Sequence, residues 1–262
     1  MTDAEHRARA QALLDGHAAR ARFAPFSGAE ALPGVDDAYA VQAYFVAGQC
    51  AARGVGIAGW KIGLTSPRMQ ALLGIDSPIA GAVLADRVHA SGARFARADH
   101  GRLGLECEIA VRLGRDLPAA GAPYDFATVA AAVEAVCAAI EVVDDRDADY
   151  AVTDIGSLVA DNCWNAGLVL GEFHAAWPDL VAVEGVVHMD GEIVDRGRGA
   201  DVLGHPFVPL QWLANHLAAR GQGLRAGDLV STGSLAPTRF PGAPTRCRFT
   251  LERLGEVELE IA

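Results

Sequence analysis

Leu103-Gly104-Leu105-Glu106-Cys107-Glu108-Ile109-Ala110-Val111-Arg112-Leu113 is the stretch on which the reading of the fold turns. Its odd positions are all apolar, and its even positions are small or charged. Strict alternation over this length predicts a β-strand with one face in a core. Residues i and i+2 of a strand point the same way, so Glu106 and Glu108 present two carboxylates side by side. Neighbouring anions repel, and one keeps its proton unless a cation lies between them. The plain alternative is a solvated strand face whose glutamates touch arginines.

Working outward, Phe126 to Ala139 reads as a helix, with Val129, Val133, Val136, Cys137 and Ile140 at helical spacing. Ile140-Glu141-Val142-Val143 follows as a short strand. An acid among such neighbours is unusual, because apolar flanks imply burial and a buried carboxylate needs partners. Glu141 is therefore the natural third member beside Glu106 and Glu108. Three carboxylates from two strands suit a hard cation with oxygen ligands, Mg2+ or Mn2+. Three glutamates leave room in a six-oxygen shell for water or a chelating 2-oxo acid. Lys61 sits in the otherwise apolar Trp60-Lys61-Ile62-Gly63-Leu64 strand. It either snorkels to water or offsets the anionic site and moves protons.

Ala4 to Arg22 reads as a first helix, and a second, capped by Val35-Asp36-Asp37, runs to about Arg53. From Gly54 the chain turns to short strands and glycine turns, so an N-terminal helical region of residues 1–54 precedes a catalytic domain of residues 55–262. Gly54-x-Gly56-x-x-Gly59 has the letters of a dinucleotide fingerprint, but a helix precedes it and a strand follows, the reverse of what that motif needs. Asp145-x-Asp147-x-Asp149 lacks the glycine and the final glutamate of a calcium loop and reads as a solvated loop. Ala166 to Gly171 and Gly227 to Gly233 read as strands, Pro209 to Arg220 as a helix. Hairpins turn at Asp190-Gly191 and Leu254-Gly255.

The 262 residues, 51% hydrophobic and 21% charged, suffice for a sizeable core. A net charge of −11 without a basic stripe excludes a nucleic-acid footprint and disfavours an anionic membrane surface. The five cysteines are odd in number and scattered, as expected of free thiols in the cytoplasm. The first residues do not have a signal-peptide layout.

Several stretches together resemble one family. They are Gly59 to Gln70 with its Gly-Trp-Lys-Ile-Gly start, Leu105-Glu106-Cys107-Glu108-Ile109-Ala110 with Gly114 to Pro118, and Ala139-Ile140-Glu141-Val142. Ala160-Asp161-Asn162, Leu203-Gly204-His205-Pro206, and Ala226-Gly227-Asp228 with Ser231-Thr232-Gly233 continue the match in order to the end of the chain. Jointly they resemble the 2-keto-4-pentenoate hydratase and 4-oxalocrotonate decarboxylase family of the fumarylacetoacetate hydrolase superfamily. The resemblance implies an α+β fold, a mixed β-roll or barrel behind N-terminal helices. It also implies a divalent metal at Glu106, Glu108 and Glu141, Lys61 as the proton-handling residue, and a homo-oligomer. Asp161, Asn162, Thr232 and Gly233 fall on family motifs near the substrate, although Asp161 suits a structural cap equally well. The expected substrate is a small 2-oxo or 2-hydroxy-dienoic acid. One departure matters. Family hydratases usually carry Pro-Asp-aromatic-Gly where this chain has Pro78-Ile79-Ala80-Gly81. Ile79 removes a carboxylate suited to delivering water, and decarboxylases of the family tend to have isoleucine there.

Overall fold

The computed structural model describes residues 1–72 and 74–262, with the backbone alone at Met69 and Leu72. Its helices are α1 (Asp3–Ala18), α2 (Val35–Arg53), α3 (Pro67–Leu72), α4 (Phe126–Ala132), α5 (Ile155–Ala160) and α6 (Phe207–Ala218). The strands are β1 (Ile57–Gly63), β2 (Ile79–Leu84), β3 (Val88–Ala90), β4 (Ala93–Phe95), β5 (Leu103–Leu113) and β6 (Val133–Asp144), then β7 (Asn165–Leu170), β8 (Glu184–Met189), β9 (Glu192–Arg198), β10 (Leu229–Ser234), β11 (Thr245–Leu251) and β12 (Glu256–Ile261). They form two mixed sheets. The larger has the order β2-β1-β10-β5-β6-β7-β3, and the smaller β4-β12-β11-β8-β9. Both sheets stay open, so the expected roll is present without closing into a barrel.

The quoted stretch is β5, at the centre of the larger sheet, and its pairing with β6 is the longest in the molecule as described. The odd residues Leu105, Ile109, Val111 and Leu113 enter the main core, with Ile140 and Val142 of β6, Phe249 and Leu259 of the second sheet, and Leu210, Leu213 and Leu217 of α6. The alternation predicted the strand but understated its burial, since Glu108 and Ala110 on the other face are also fully buried.

The expected helix from Phe126 to Ala139 ends at Ala132, and Val133 begins a twelve-residue strand. Val133, Val136, Val142 and Val143 are β-branched, and pairing with β5 satisfies the backbone along almost the whole strand. A strand buried on both faces loses its period of two, so its apolar residues also fit a helical spacing. The first helix ends at Ala18, short of Arg22, and the second is capped by Gly34, with Asp36 and Asp37 in its first turn instead of at the cap. Asp145 is not solvated. It is fully buried, and Arg102 holds it through both oxygens.

The helices of residues 1–54 lie against the outer strand of the larger sheet. Ala38, Val41 and Phe45 of α2 share a cluster with Ile79, Ala82 and Leu84 of β2 and Val159 of α5. Gln42 reaches through this cluster and donates to the carbonyls of Ala80 and Val159. Burying that amide is tolerated because Nε2 has an acceptor for each of its two N–H groups. The effect is to fix β2, and with it Ile79, against the site below.

Candidate active site

Glu106 of β5 and Glu141 of β6 are register partners in the antiparallel pair, and Glu108 follows two residues on along the same face. Carboxylate oxygens of all three lie within 4.8 Å of one another. Glu108 and Glu141 are fully buried, and Glu106 is half-buried. Lys61 of β1 brings Nζ within 3.1 Å of Glu141 Oε1, and only 4% of the residue is exposed. It does not snorkel. Three carboxylates and one ammonium leave two negative charges in a dry site.

Each carboxylate has one oxygen in the grip of the protein. Glu108 Oε2 accepts from Ser231 Oγ at 2.5 Å and from the Gly233 amide at 2.7 Å. Glu106 Oε1 accepts from Thr238 Oγ1 at 2.6 Å. Glu141 Oε1 accepts from Asn165 Nδ2 at 2.9 Å besides its ion pair with Lys61. The other oxygens of the two buried acids, Glu108 Oε1 and Glu141 Oε2, have no hydrogen-bond partner among the described residues. A buried acceptor without a partner costs about 1–3 kcal/mol, more when charged. Two of them in a trio whose carboxylates come within 4.8 Å of one another fit a hard cation, so the donor set suits Mg2+ or a similar ion.

The electrostatics agree. Burial, with Glu141 and Glu106 as neighbours, pushes the Glu108 carboxyl well above the usual range against the pull of Ser231 and Gly233. Burial likewise lifts Glu141, opposed chiefly by Lys61, to about 7. Burial would lower Lys61, but Glu141, Glu106 and Glu108 outweigh it and keep the ammonium protonated. Without a further positive charge, burial favours the protonated forms of Glu108 and Glu141.

Gly233 has φ of +120°, and a Cβ there would lie 2.0 Å from Thr65 Oγ1. Glycine is needed for its amide to point at Glu108. Ile79 is the register partner of Gly63, and a Cβ on Gly63 would touch both the Ile79 side chain at 3.4 Å and Lys61 Nζ at 3.6 Å. Ile79 therefore forms an apolar wall beside the ammonium. Cys163 also lies near Lys61, but burial pushes its thiol up to about 12, so it is no nucleophile.

The polar groups of three other expected residues are engaged in the scaffold. Asp161 is held by His17 Nε2 at 2.6 Å and Arg146 Nη2 at 2.5 Å. Asn162 pairs with both the amide and the carbonyl of Ala82, imitating a neighbouring strand. Thr232 Oγ1 donates to the Ile109 carbonyl at 2.8 Å. These bonds hold β2, β5 and β10 in place around the site. Asn162, Cys163 and Trp164 all have φ between +50° and +58°. Consecutive left-handed residues without glycine cost of order 1–2 kcal/mol each. Here they redirect the chain so that Asn162 reaches β2 while Asn165 reaches Glu141. Asn165, Ser231 and Thr238 were missed in the sequence. Ser231 stood within a quoted motif, but nothing local marks Thr238, which reaches Glu106 because Arg239 pairs with Leu105 beyond the end of β10.

Comparison with known proteins shows the family. The family described as fumarylacetoacetate (FAA) hydrolase C-terminal matches residues 74–262, and the chain belongs to it. A 2-keto-4-pentenoate hydratase of Burkholderia vietnamiensis (strain G4 / LMG 22486) is 40% identical over 183 residues, 69% of each chain. 2-keto-4-pentenoate hydratase 2 of Dechloromonas aromatica (strain RCB) is 35% identical over 251 residues, 95% of this chain and 94% of the relative. Among solved structures, 4-oxalocrotonate decarboxylase from Pseudomonas putida G7, complexed with magnesium and adipate, superposes with a TM-score of 0.93 at 28% identity, covering 100% of this chain and 99% of that one.

Proposed function

We propose that the chain is a divalent-metal-dependent lyase that hydrates 2-hydroxypenta-2,4-dienoate (2-oxopent-4-enoate) or a close analogue, as in the breakdown of aromatic compounds by ring cleavage. The observation that carries this reading is the trio Glu106, Glu108 and Glu141 on paired strands, with Lys61 Nζ 3.1 Å from Glu141. The hydratase relatives, which align with up to 95% of the chain, support the choice of reaction.

Glu106, Glu108 and Glu141 would hold Mg2+ or Mn2+, which supplies a Lewis acid for the carboxylate and 2-oxygen of the substrate. Lys61 supplies the proton chemistry at Nζ. Its ammonium is kept charged by the surrounding acids, ready to donate to the substrate as the dienol becomes a ketone. Water then adds at C4 of the resulting enone. Ser231, Gly233, Thr238 and Asn165 keep the carboxylates from turning. Asp161, Asn162 and Thr232 act one step further out, through the strands that they tie down.

Ile79 favours a second reading, 4-oxalocrotonate (2-oxo-3-hexenedioate) decarboxylase. An apolar wall beside Lys61 suits departing CO2 better than attacking water, and the structural neighbour solved with magnesium and a dicarboxylate carries that name. The same electron sink serves both reactions. Turnover with Mg2+ on 2-hydroxypenta-2,4-dienoate and on 4-oxalocrotonate, followed by absorbance and CO2 release, separates them. Dienoate loss without CO2 is the expected result. CO2 from 4-oxalocrotonate alone would replace the hydratase reading, and silence on both would refute both. Introducing the missing carboxyl by Ile79→Asp should raise hydration relative to decarboxylation.

The enzyme works in the cytoplasm as a homo-oligomer on this reading. Free thiols at all five cysteines are in keeping with the first point, and light scattering of the purified protein tests the second. No helix among the described residues is long and apolar enough to cross a membrane.

A further inference from the structure

Among the described residues, three buried side-chain oxygens lack any hydrogen-bond partner: Glu108 Oε1, Glu141 Oε2 and Asn165 Oδ1. Two belong to the carboxylate trio, and the third belongs to the residue whose Nδ2 holds Glu141 at 2.9 Å. The amide cannot be the other way round, because its oxygen would then face a carboxylate oxygen, acceptor against acceptor. One end of Asn165 is therefore committed to Glu141, and the other is an unused acceptor.

We infer that Asn165 is a fourth polar member of the cation site. Through Nδ2 it orients Glu141, and through Oδ1 it accepts a hydrogen bond from an O–H group in the shell of the ion, a water or the substrate's hydroxyl. This rests on the proposed metal site. The charge balance explains why an amide suits the position. A divalent ion and Lys61 together neutralise three glutamates, and a fourth carboxylate would leave an unpaired negative charge in a buried place. An amide adds an acceptor without adding charge. It is a positioning residue for the ion and its shell, placed by the three left-handed residues before it.

The test is a titration of metal-free protein with Mg2+, read by heat of binding and by melting temperature, for wild type, Asn165→Leu and Asn165→Ser. Loss of a partner in the outer shell typically weakens metal binding 10- to 100-fold, and that is the expectation for Asn165→Leu, with part of the affinity kept by serine. The melting temperature without metal separates this from a structural role. A scaffold residue would lower it and leave the Mg2+ affinity alone, which would overturn the inference. Wild-type affinity in Asn165→Leu would do the same while leaving the metal site standing. If wild type itself binds no Mg2+, the metal site fails and the inference falls with it. Should Asn165→Leu not fold, the same outcomes are read from Asn165→Ser.

Discussion

Glu106 and Glu141 face each other across two central strands, register partners with like charge. Such a pair opposes pairing when nothing lies between, since side chains directly opposite are about 5 Å apart at Cβ. Glu108 adds a third anion to the same face. The sheet tolerates this because β5 and β6 are long and the middle of their other face, from Leu105 to Ile109 and from Val136 to Val142, is buried and apolar. The repulsion is local, and the strands that carry it are the best anchored in the molecule.

Glu108→Gln should relieve this repulsion. The amide oxygen can still accept from Ser231 and Gly233, so the variant without metal should melt at or above the wild-type temperature. Wild type at a Mg2+ concentration of 100 times Kd should gain about 2.7 kcal/mol, and the variant should gain little. Differential scanning calorimetry with and without Mg2+ checks both halves.

Lys61→Met keeps the bulk of the stem and removes the charge. Turnover should fall at least about 100-fold, the lower bound for losing a positioned proton-transfer group. Glu141 would lose its cation, and breaking one side of a buried pair costs about 3–5 kcal/mol. Added Mg2+ should restore stability in part and activity not at all. Full turnover in the variant would refute the role of Lys61.

Gly233→Ala meets two obstacles, a φ of +120° and the hydroxyl of Thr65 at 2.0 Å from the new Cβ. The strained backbone alone costs of order 1–3 kcal/mol. Because the Gly233 amide holds Glu108, Mg2+ affinity should fall together with the melting temperature. Adding Thr65→Ala should recover part of the loss by removing the clash, while the φ remains unfavourable.

His216 stacks on Trp212 and lies edge-on to Tyr39. Burial, reinforced by Arg220, lowers its pKa from 6.5 to about 4. The unfolded chain binds the proton first, so between about pH 6.5 and 4 this residue makes the fold less stable as pH falls. The contribution is complete above pH 6.5 and gone below 4. Replacing His216 with Phe should flatten that part of the curve of melting temperature against pH.

Much of the site was legible because strand geometry has a fixed period. Glu106 and Glu108 at i and i+2 had to share a face, and one acid in Ile140-Glu141-Val142 had to find partners. The meeting of β5 with β6 was less legible. A strand buried on both sides carries no alternation, so Val133 to Ala139 reads in the sequence as the end of a helix. The partners of the carboxylates were the hardest to see. Thr238 depends on the return of the chain to Leu105 after β10, and Asn165 on three unusual backbone angles. Neither leaves a trace in composition. Asp161 and Asn162 stand on a motif near the site, and their bonds to His17 and to the backbone of Ala82 leave no local pattern either.

The unequal burial of the three glutamates sets a direction of traffic. Glu108 and Glu141 lie at the closed end, and Glu106 alone reaches toward solvent. An ion and a substrate that both enter past Glu106 share one path, so the ion is expected first, with the substrate afterwards between it and solvent. A chelator should then strip metal from the resting enzyme far faster than from enzyme saturated with a slow substrate analogue, and the working enzyme would keep its ion simply by being busy.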